Sequence, residues 1–273
     1  MRAHAIVVPF DLGKPRVSNG AGPEALIASG VLNHVDVDRT TTVDVELRAS
    51  NEIQQCVTID AAVARAASSS ASLPLVFSGN CHACLGTLSA AGSAANIIWF
   101  DAHGDLNTPE TSETGYFDGM ALATALGWSW TELTKTIPGF AAREERNVLL
   151  VGGRDLDVKE RARLLTSQVR HLSPPTLGPF DPDTGFESAL TSLSMQRATY
   201  VHLDLDVLDP SELAVNRFSV PGGVSIGWLE SALRSVRERC VIAAVGVSAY
   251  DPTYSAPSTA APIVNRLLRA LLA

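Results

Sequence analysis

The sequence predicts an α/β protein whose mainly parallel sheet lies between helices. Three observations lead there. Short apolar runs rich in β-branched residues, such as Asn96-Ile97-Ile98-Trp99-Phe100, alternate along the chain with stretches of helical period. The strand-like runs number about eight, enough for one large sheet. No linker, internal repeat or low-complexity stretch breaks the alternation, so residues 1–273 read as one domain.

In order, Ala5 to Val8 is the first strand. Gly13-Lys14-Pro15-Arg16 and Gly20-Ala21-Gly22-Pro23 form loop, and Pro23 suits the first turn of a helix running through Leu32. Thr42 to Leu47 alternates like a strand. Asn51 to Ala67 is helical, with Ile53, Cys56, Val57 and Ala61 on one side, and Ser68-Ser69-Ser70 ends it. Leu73 to Phe77 is a strand, followed by a glycine-containing turn and a helix from about Leu85 to Ala91. The run ending at Phe100 is next, then a polar loop through Gly115 and a helix over Asp118 to Leu126. Asn147 to Val151 is a strand, Lys159 to Thr166 a helix, and Val169 to Leu172 a short strand. Pro174 to Gly185, rich in proline and glycine, is loop, and Glu187 to Leu193 is helical. A strand from Thr199 into Asp204, a helix over Ile226 to Arg239, a strand over Val241 to Val247 and a last helix reaching Leu272 complete the chain.

Charge narrows the function. A formal net charge of −8 argues against nucleic acid or an anionic membrane as the main partner. No apolar run is long enough to span a bilayer, and Met1-Arg2-Ala3-His4 opens no signal segment, so a cytoplasmic protein is expected. Four cysteines do not make a disulfide framework, and Cys56 and Cys240 suit inert core positions.

Chemistry concentrates at two strand ends. Asp101-Ala102-His103-Gly104-Asp105 directly follows the Phe100 run, and Asp204-Leu205-Asp206 follows Thr199-Tyr200-Val201-His202-Leu203. In extended chain alternate side chains point the same way, so each stretch gathers its carboxylates on one side. Buried carboxylates need a compensating cation. One such stretch is compatible with a salt-bridged loop; two of them favour a two-metal centre. Ser78-Gly79-Asn80-Cys81-His82-Ala83-Cys84 ends a third strand at the same level. Its C-x-x-C pair admits a redox motif, half a zinc site or two packed cysteines. A contribution of Cys81 or His82 to the metal site fits its position better.

These stretches resemble a known family. Asp101-Ala102-His103-Gly104-Asp105-Leu106-Asn107-Thr108-Pro109 and Asp204-Leu205-Asp206-Val207-Leu208-Asp209-Pro210 are similar to the signatures of the ureohydrolases, the arginases, agmatinases and their relatives. Gly79-Asn80-Cys81-His82 with Gly86-Thr87 resembles their third motif, and the likeness covers nearly the whole chain. The resemblance implies a three-layer α/β/α fold with an eight-stranded parallel sheet and a pair of Mn2+ ions per chain. Asp101 and Asp204 would bridge the ions, Asp105 would complete one, and His103 with Asp206 the other. Cys81 falls where the family has a histidine ligand, and a thiolate there favours Zn2+ over Mn2+.

The arginases offer a closer comparison of the substrate groups. Asn107, Ser112 and Thr114 fall where they hold a substrate α-carboxylate, and Asp157 where they hold the α-amino group. The resemblance thus implies a guanidino α-amino acid rather than a decarboxylated amine such as agmatine. Asp118 stands in place of a catalytic-loop histidine, so Asp118 or Asp206 is expected to carry the proton to the leaving amine. Ala249 stands in place of a glutamate that contacts the guanidinium. A guanidinium is a permanent cation, and its loss of a carboxylate partner favours a less basic, modified guanidine.

The expected substrate is therefore Nω-hydroxy-L-arginine, split to L-ornithine and hydroxyurea within a biosynthetic route that needs hydroxyurea. An arginase that tolerates Cys81 and Ala249 is the nearest rival, and a non-catalytic metal-binding protein is the rival from another class. Trimeric arginases carry a tail beyond the last helix, whereas this sequence stops at Leu271-Leu272-Ala273, so a monomer is expected.

Overall fold

The computed structural model describes residues 1–49, 51–173 and 185–273. Eight strands form the main sheet: β1 Ala3–Val8, β2 Val37–Thr42, β3 Leu73–Ser78, β4 Asn96–Phe100, β5 Val148–Val151, β6 Arg170–Leu172, β7 Ala198–Asp204 and β8 Val241–Ser248. Their order is β2-β1-β3-β8-β7-β4-β5-β6, and every neighbouring pair is parallel. Among the described residues the α-helices are α1 Gly22–Ala28, α2 Glu52–Ala67, α3 Cys84–Ala91, α4 Ala121–Ala125, α5 Thr131–Thr134, α6 Val158–Thr166, α7 Phe186–Thr191, α8 Ile226–Arg239 and α9 Pro257–Leu272.

Period two sorts the central strands β4, β7 and β8 between two cores. Ile98, Phe100, Val201, Leu203, Val245 and Val247 pack with α7, α8 and α9 on one face. Ile97, Trp99, Tyr200 and Ala244 pack with α3 and α4 on the other. A sheet covered on both faces needs apolar side chains at consecutive positions, which is why β4 and β7 read as unbroken apolar runs. Among the described residues no helix is long and apolar enough to cross a membrane.

Most expected elements lie where the periodicity put them, and α8 matches to the residue. The second strand does not. It is Val37–Thr42 rather than Thr42 to Leu47. This edge strand pairs only with β1 and is mostly exposed, so it carries no apolar alternation. Val43, Val45 and Leu47 do alternate, but they pack beside Ile59 and Val63 of α2 as irregular chain. Helix α1 ends at Ala28 rather than Leu32, with Gly30 in the left-handed region at φ 83° just beyond. Asp118 to Leu126 is a 3-10 turn over Asp118–Met120 followed by α4, not one helix. The expected loop from Pro174 to Gly185 lies, but for Gly185, outside the described residues. The short α5 and the hairpin pairing Phe10–Asp11 with Lys14–Pro15 span too few residues to show a period.

The four central strands β3, β8, β7 and β4 end side by side at their carboxyl ends, the edge where open parallel sheets bind ligands. Gly79 lets the end of β3 pass close to the Phe10 carbonyl; a Cβ there would stand 2.2 Å from that oxygen. The close pass lets Asn80 Oδ1 accept the Leu12 N–H at 2.7 Å and fixes the turn that carries Cys81.

Candidate metal centre

Strand β4 delivers Asp101 at its end, almost fully buried. Asp101 Oδ2 accepts the indole N–H of Trp99 at 2.9 Å, and Oδ1 accepts the backbone N–H of His103 at 2.7 Å. His103 continues as a parallel bridge to Asp155. At Asp105 the chain turns into the left-handed region, φ 51°, so spacing by two no longer decides where that side chain points. Strand β7 delivers Asp204, whose Oδ1 accepts the Asp206 N–H at 2.9 Å and caps a 3-10 turn over Leu205–Val207. Asp206 therefore reaches the site from a turn rather than from extended chain. Its Oδ1 accepts the Ala102 N–H at 3.1 Å, which ties the two aspartate motifs together.

Apart from Asp105, which lines the same cavity but belongs to neither, the side chains converge in two overlapping groups. Cys81, Asp101, His202 and Asp204 place one ligand atom each within 4.8 Å of one another, and so do Asp101, His103 and Asp206. Asp101 belongs to both groups. Cys81 Sγ lies 2.9 Å from Asp204 Oδ2 and joins the site from the turn after β3. His82 turns away from it and pairs through Nδ1 with buried Asp60 at 2.8 Å. Cys84 sits in the apolar cluster under the sheet, and all four cysteines are free.

The electrostatics suit a cation pair. Burial pushes the carboxyls of Asp101, Asp105 and Asp204 above the carboxylate range, and neighbouring aspartates push further. Burial opposes charge on His103, but Asp206 and Asp101 outweigh it and lift its pKa to about 10. Asp105 Oδ2 is buried with no hydrogen-bond partner. An orphaned carboxylate oxygen facing crowded carboxylates is the surrounding that a divalent cation relieves. The donors are mostly hard oxygens, with one sulfur and one imidazole in the first group and one imidazole in the second, so they fit two divalent ions.

A model described as the arginase family matches residues 2–273. The chain belongs to the arginase family. That family comprises hydrolases of amidine C–N bonds and uses a binuclear metal site. The arginase of Bacillus subtilis (strain 168) is 27% identical over 287 residues, covering 98% of this chain and 96% of that protein. The crystal structure of arginase from Bacillus cereus superposes with a TM-score of 0.89 at 25% identity, covering 100% of this chain and 98% of that one. The formimidoylglutamase of Bacillus subtilis shares the fold at a TM-score of 0.80 and 16% identity, covering 99% of this chain and 86% of that one.

In this arginase-family chain a cavity of about 290 Å3 opens over the aspartates. Asn107, Ser112, Thr114, Asp118, Asp157 and Ala249 all line it. Asn107 Nδ2 donates to Asp157 Oδ2 at 2.9 Å, so these two are coupled. Ser112 and Thr114 accept the backbone N–H groups of Gly115 and Tyr116, which shapes the mouth. Asp118 accepts the His82 N–H and the Asn80 amide, each at 2.9 Å. Burial raises its pKa to about 6 against the pull of His82 and Asn80. Ala249 is buried at φ 64°, and its carbonyl accepts Asn216 Nδ2 at 2.8 Å.

Sequence reasoning missed other residues of the site. Glu160 lines the cavity while accepting the N–H groups of Leu106 and Asp157 at 2.8 and 3.1 Å; burial lifts its pKa to about 7. Its position three residues into α6 was a visible capping signal. Asn216 and Phe218 come from an irregular segment with no local signal. His202 had a signal: the period that sets Asp204 on one side of β7 sets His202 there too.

Proposed function

We propose that the chain is a binuclear-manganese amidinohydrolase that converts Nω-hydroxy-L-arginine and water to L-ornithine and hydroxyurea. Cys81, Asp101, His103, Asp105, Asp204 and Asp206 would hold the two ions, with the Cys81 sulfur making Zn2+ a competitor for one position. Bound there, the ions supply Lewis acidity and a water acidified to near neutral pKa. The observation that carries the substrate choice is Ala249. It is a buried wall of the cavity, 4% exposed, and brings no carboxylate to the guanidino group. A desolvated guanidinium without such a partner is costly, whereas an N-hydroxyguanidine is less basic and fills the space.

The chain's own groups position the reaction. Asn107, Ser112 and Thr114 receive the α-carboxylate at the mouth and Asp157 the α-ammonium, which points the guanidino end inward. Water adds to the guanidino carbon, the bond from that carbon to the δ-nitrogen breaks, and the nitrogen leaves as an amine after taking a proton. Asp118, its pKa raised by burial to about 6, takes up a proton far more readily than an ordinary carboxylate and is one donor. Asp206 is the other. We place the enzyme in the cytoplasm as a monomer with residues 1–273 in one domain; a trimer mass in sedimentation contradicts that assembly.

Hydrolysis of L-arginine itself is the second reading, favoured by the name arginase on the relatives. Ala249→Glu separates the two. The variant is expected to shift the ratio of kcat/KM toward arginine by about tenfold or more, the effect of one charge-assisted contact of ~1.5–3 kcal/mol. An unchanged ratio means that position 249 does not set the preference.

A further inference from the structure

Behind Cys81 the sheet buries a second chain of polar groups that the hydrolysis itself does not use. Tyr200 Oη lies 2.8 Å from His202 Nδ1. His202 Nε2 lies 3.2 Å from Ser248 Oγ, and Ser248 Oγ lies 3.3 Å from Cys81 Sγ. All four side chains are buried. Tyr200, His202 and Asp204 alternate along β7 and share one side of the strand. The His202 ring is stacked on Trp99, with centroids 3.6 Å apart and planes 12° apart, and Trp99 in turn bonds Asp101. The imidazole is thus clamped by a ring on its face and by a partner on each nitrogen.

The backbone makes room for this arrangement. A Cβ on Gly246, in the adjacent β8, would stand 2.4 Å from the Tyr200 hydroxyl. Any larger residue there would expel that hydroxyl from the imidazole. The protons run in one direction. The single thiol hydrogen of Cys81 is given to Asp204 Oδ2 at 2.9 Å, so the contact with Ser248 is a donation from the hydroxyl to the sulfur. Ser248 then accepts from His202 Nε2–H, and His202 Nδ1 accepts from Tyr200. The chain begins at a hydroxyl and ends with a donor aimed at the sulfur.

We propose that Tyr200, His202 and Ser248 are positioning residues that aim the Cys81 sulfur at the metal and temper its donor strength through the Ser248 hydrogen bond. This rests on Cys81 being a ligand. Partners behind a ligand fix its orientation and set metal affinity, and a hydrogen bond to a thiolate withdraws electron density that the sulfur would otherwise give the ion. A softer ligand is thereby kept compatible with a centre that must remain a Lewis acid.

The test uses the full chain loaded with Co2+, whose bond to a thiolate gives a sulfur-to-metal charge-transfer band. The native protein is expected to show the band and Cys81→Ser to lack it. Ser248→Ala keeps the band, moves it to longer wavelength, and weakens Co2+ binding by ~10- to 100-fold in a competition titration. Tyr200→Phe, at the far end, moves the band the same way by less, and adds little once Ser248 is alanine, because the two act through one chain. A band and an affinity that Ser248→Ala leaves unchanged overturn the proposal, as do strictly additive effects. Loss of Co2+ binding in His202→Gln but not in Ser248→Ala also overturns it, because His202 would then act on the ion by a route that does not pass through Ser248. Absence of the band from the native Co2+ protein removes Cys81 from the centre and takes this proposal with it, whereas a native band indifferent to the variants leaves the metal centre standing.

Discussion

Asp101→Asn is expected to lower kcat/KM by more than about 100-fold, beyond the ~10- to 100-fold that partners behind a ligand are worth. Asp101 is the one residue common to both groups of converging ligand atoms. Asparagine keeps its volume but one acceptor oxygen instead of two, so one of the Trp99 and His103 N–H groups loses its partner, and it removes the charge that two cations would share. The metal content of the purified variant should fall with its activity. The metal-free fold should suffer little, because relief of a buried carboxyl crowded by Asp206 offsets the one lost acceptor. A variant with native metal content and native turnover would show that Asp101 is not a shared ligand. Loss of folding, seen as a lowered Tm of the metal-free form, would instead assign the aspartate a structural role.

Chelation should make the protein's stability fall as pH rises from about 6.5 to 8.5. Asp101, Asp105 and Asp204 have folded-state pKa values raised by burial, and Glu160 is raised to about 7. His103 is raised to about 10 by Asp206 and Asp101 against its burial. In each case the folded chain binds protons more tightly than the unfolded chain. The stabilisation is complete below the unfolded pKa and is lost as pH rises through the folded one, at about 1.4 kcal/mol per pH unit for each extra proton held. His202, whose pKa burial lowers to about 3, acts in the opposite sense, but only below the ordinary histidine range. Metal binding needs these carboxyls deprotonated, so loaded protein should show a flat or rising Tm over the same window. Parallel melting curves of chelated and Mn2+-loaded protein at pH 6.5, 7.5 and 8.5 read this directly. A Tm of the chelated form that climbs with pH would refute the assignment of these carboxyls to a cation site.

The fold was legible where burial is two-sided. Strands β4 and β7 are apolar at successive positions because helices cover both faces, so their ends, and Asp101 and Asp204 with them, stood out. Strand β2 was hidden because an exposed edge can be polar, and the alternation of Val43, Val45 and Leu47 is made by packing on α2 without a partner strand. In the site, Asp101 and Asp204 followed from strand period. Asp105 and Asp206 arrive by a left-handed residue and a 3-10 turn, geometries that spacing cannot encode. Ser248 and Asn216 were invisible because only the order of β8 beside β7, and an irregular segment folding back on Ala249, bring them to the aspartates. His202 was visible but had no evident partner until the sheet set Ser248 beside it.

The most direct test is ornithine release from the Mn2+-loaded native chain, with Nω-hydroxy-L-arginine and L-arginine assayed side by side. Fast release from the hydroxylated substrate, with hydroxyurea formed in equal amount and little release from arginine, is the predicted result. Equal or faster release from arginine would contradict it, and would make Cys81 and Ala249 tolerated variations in an arginase.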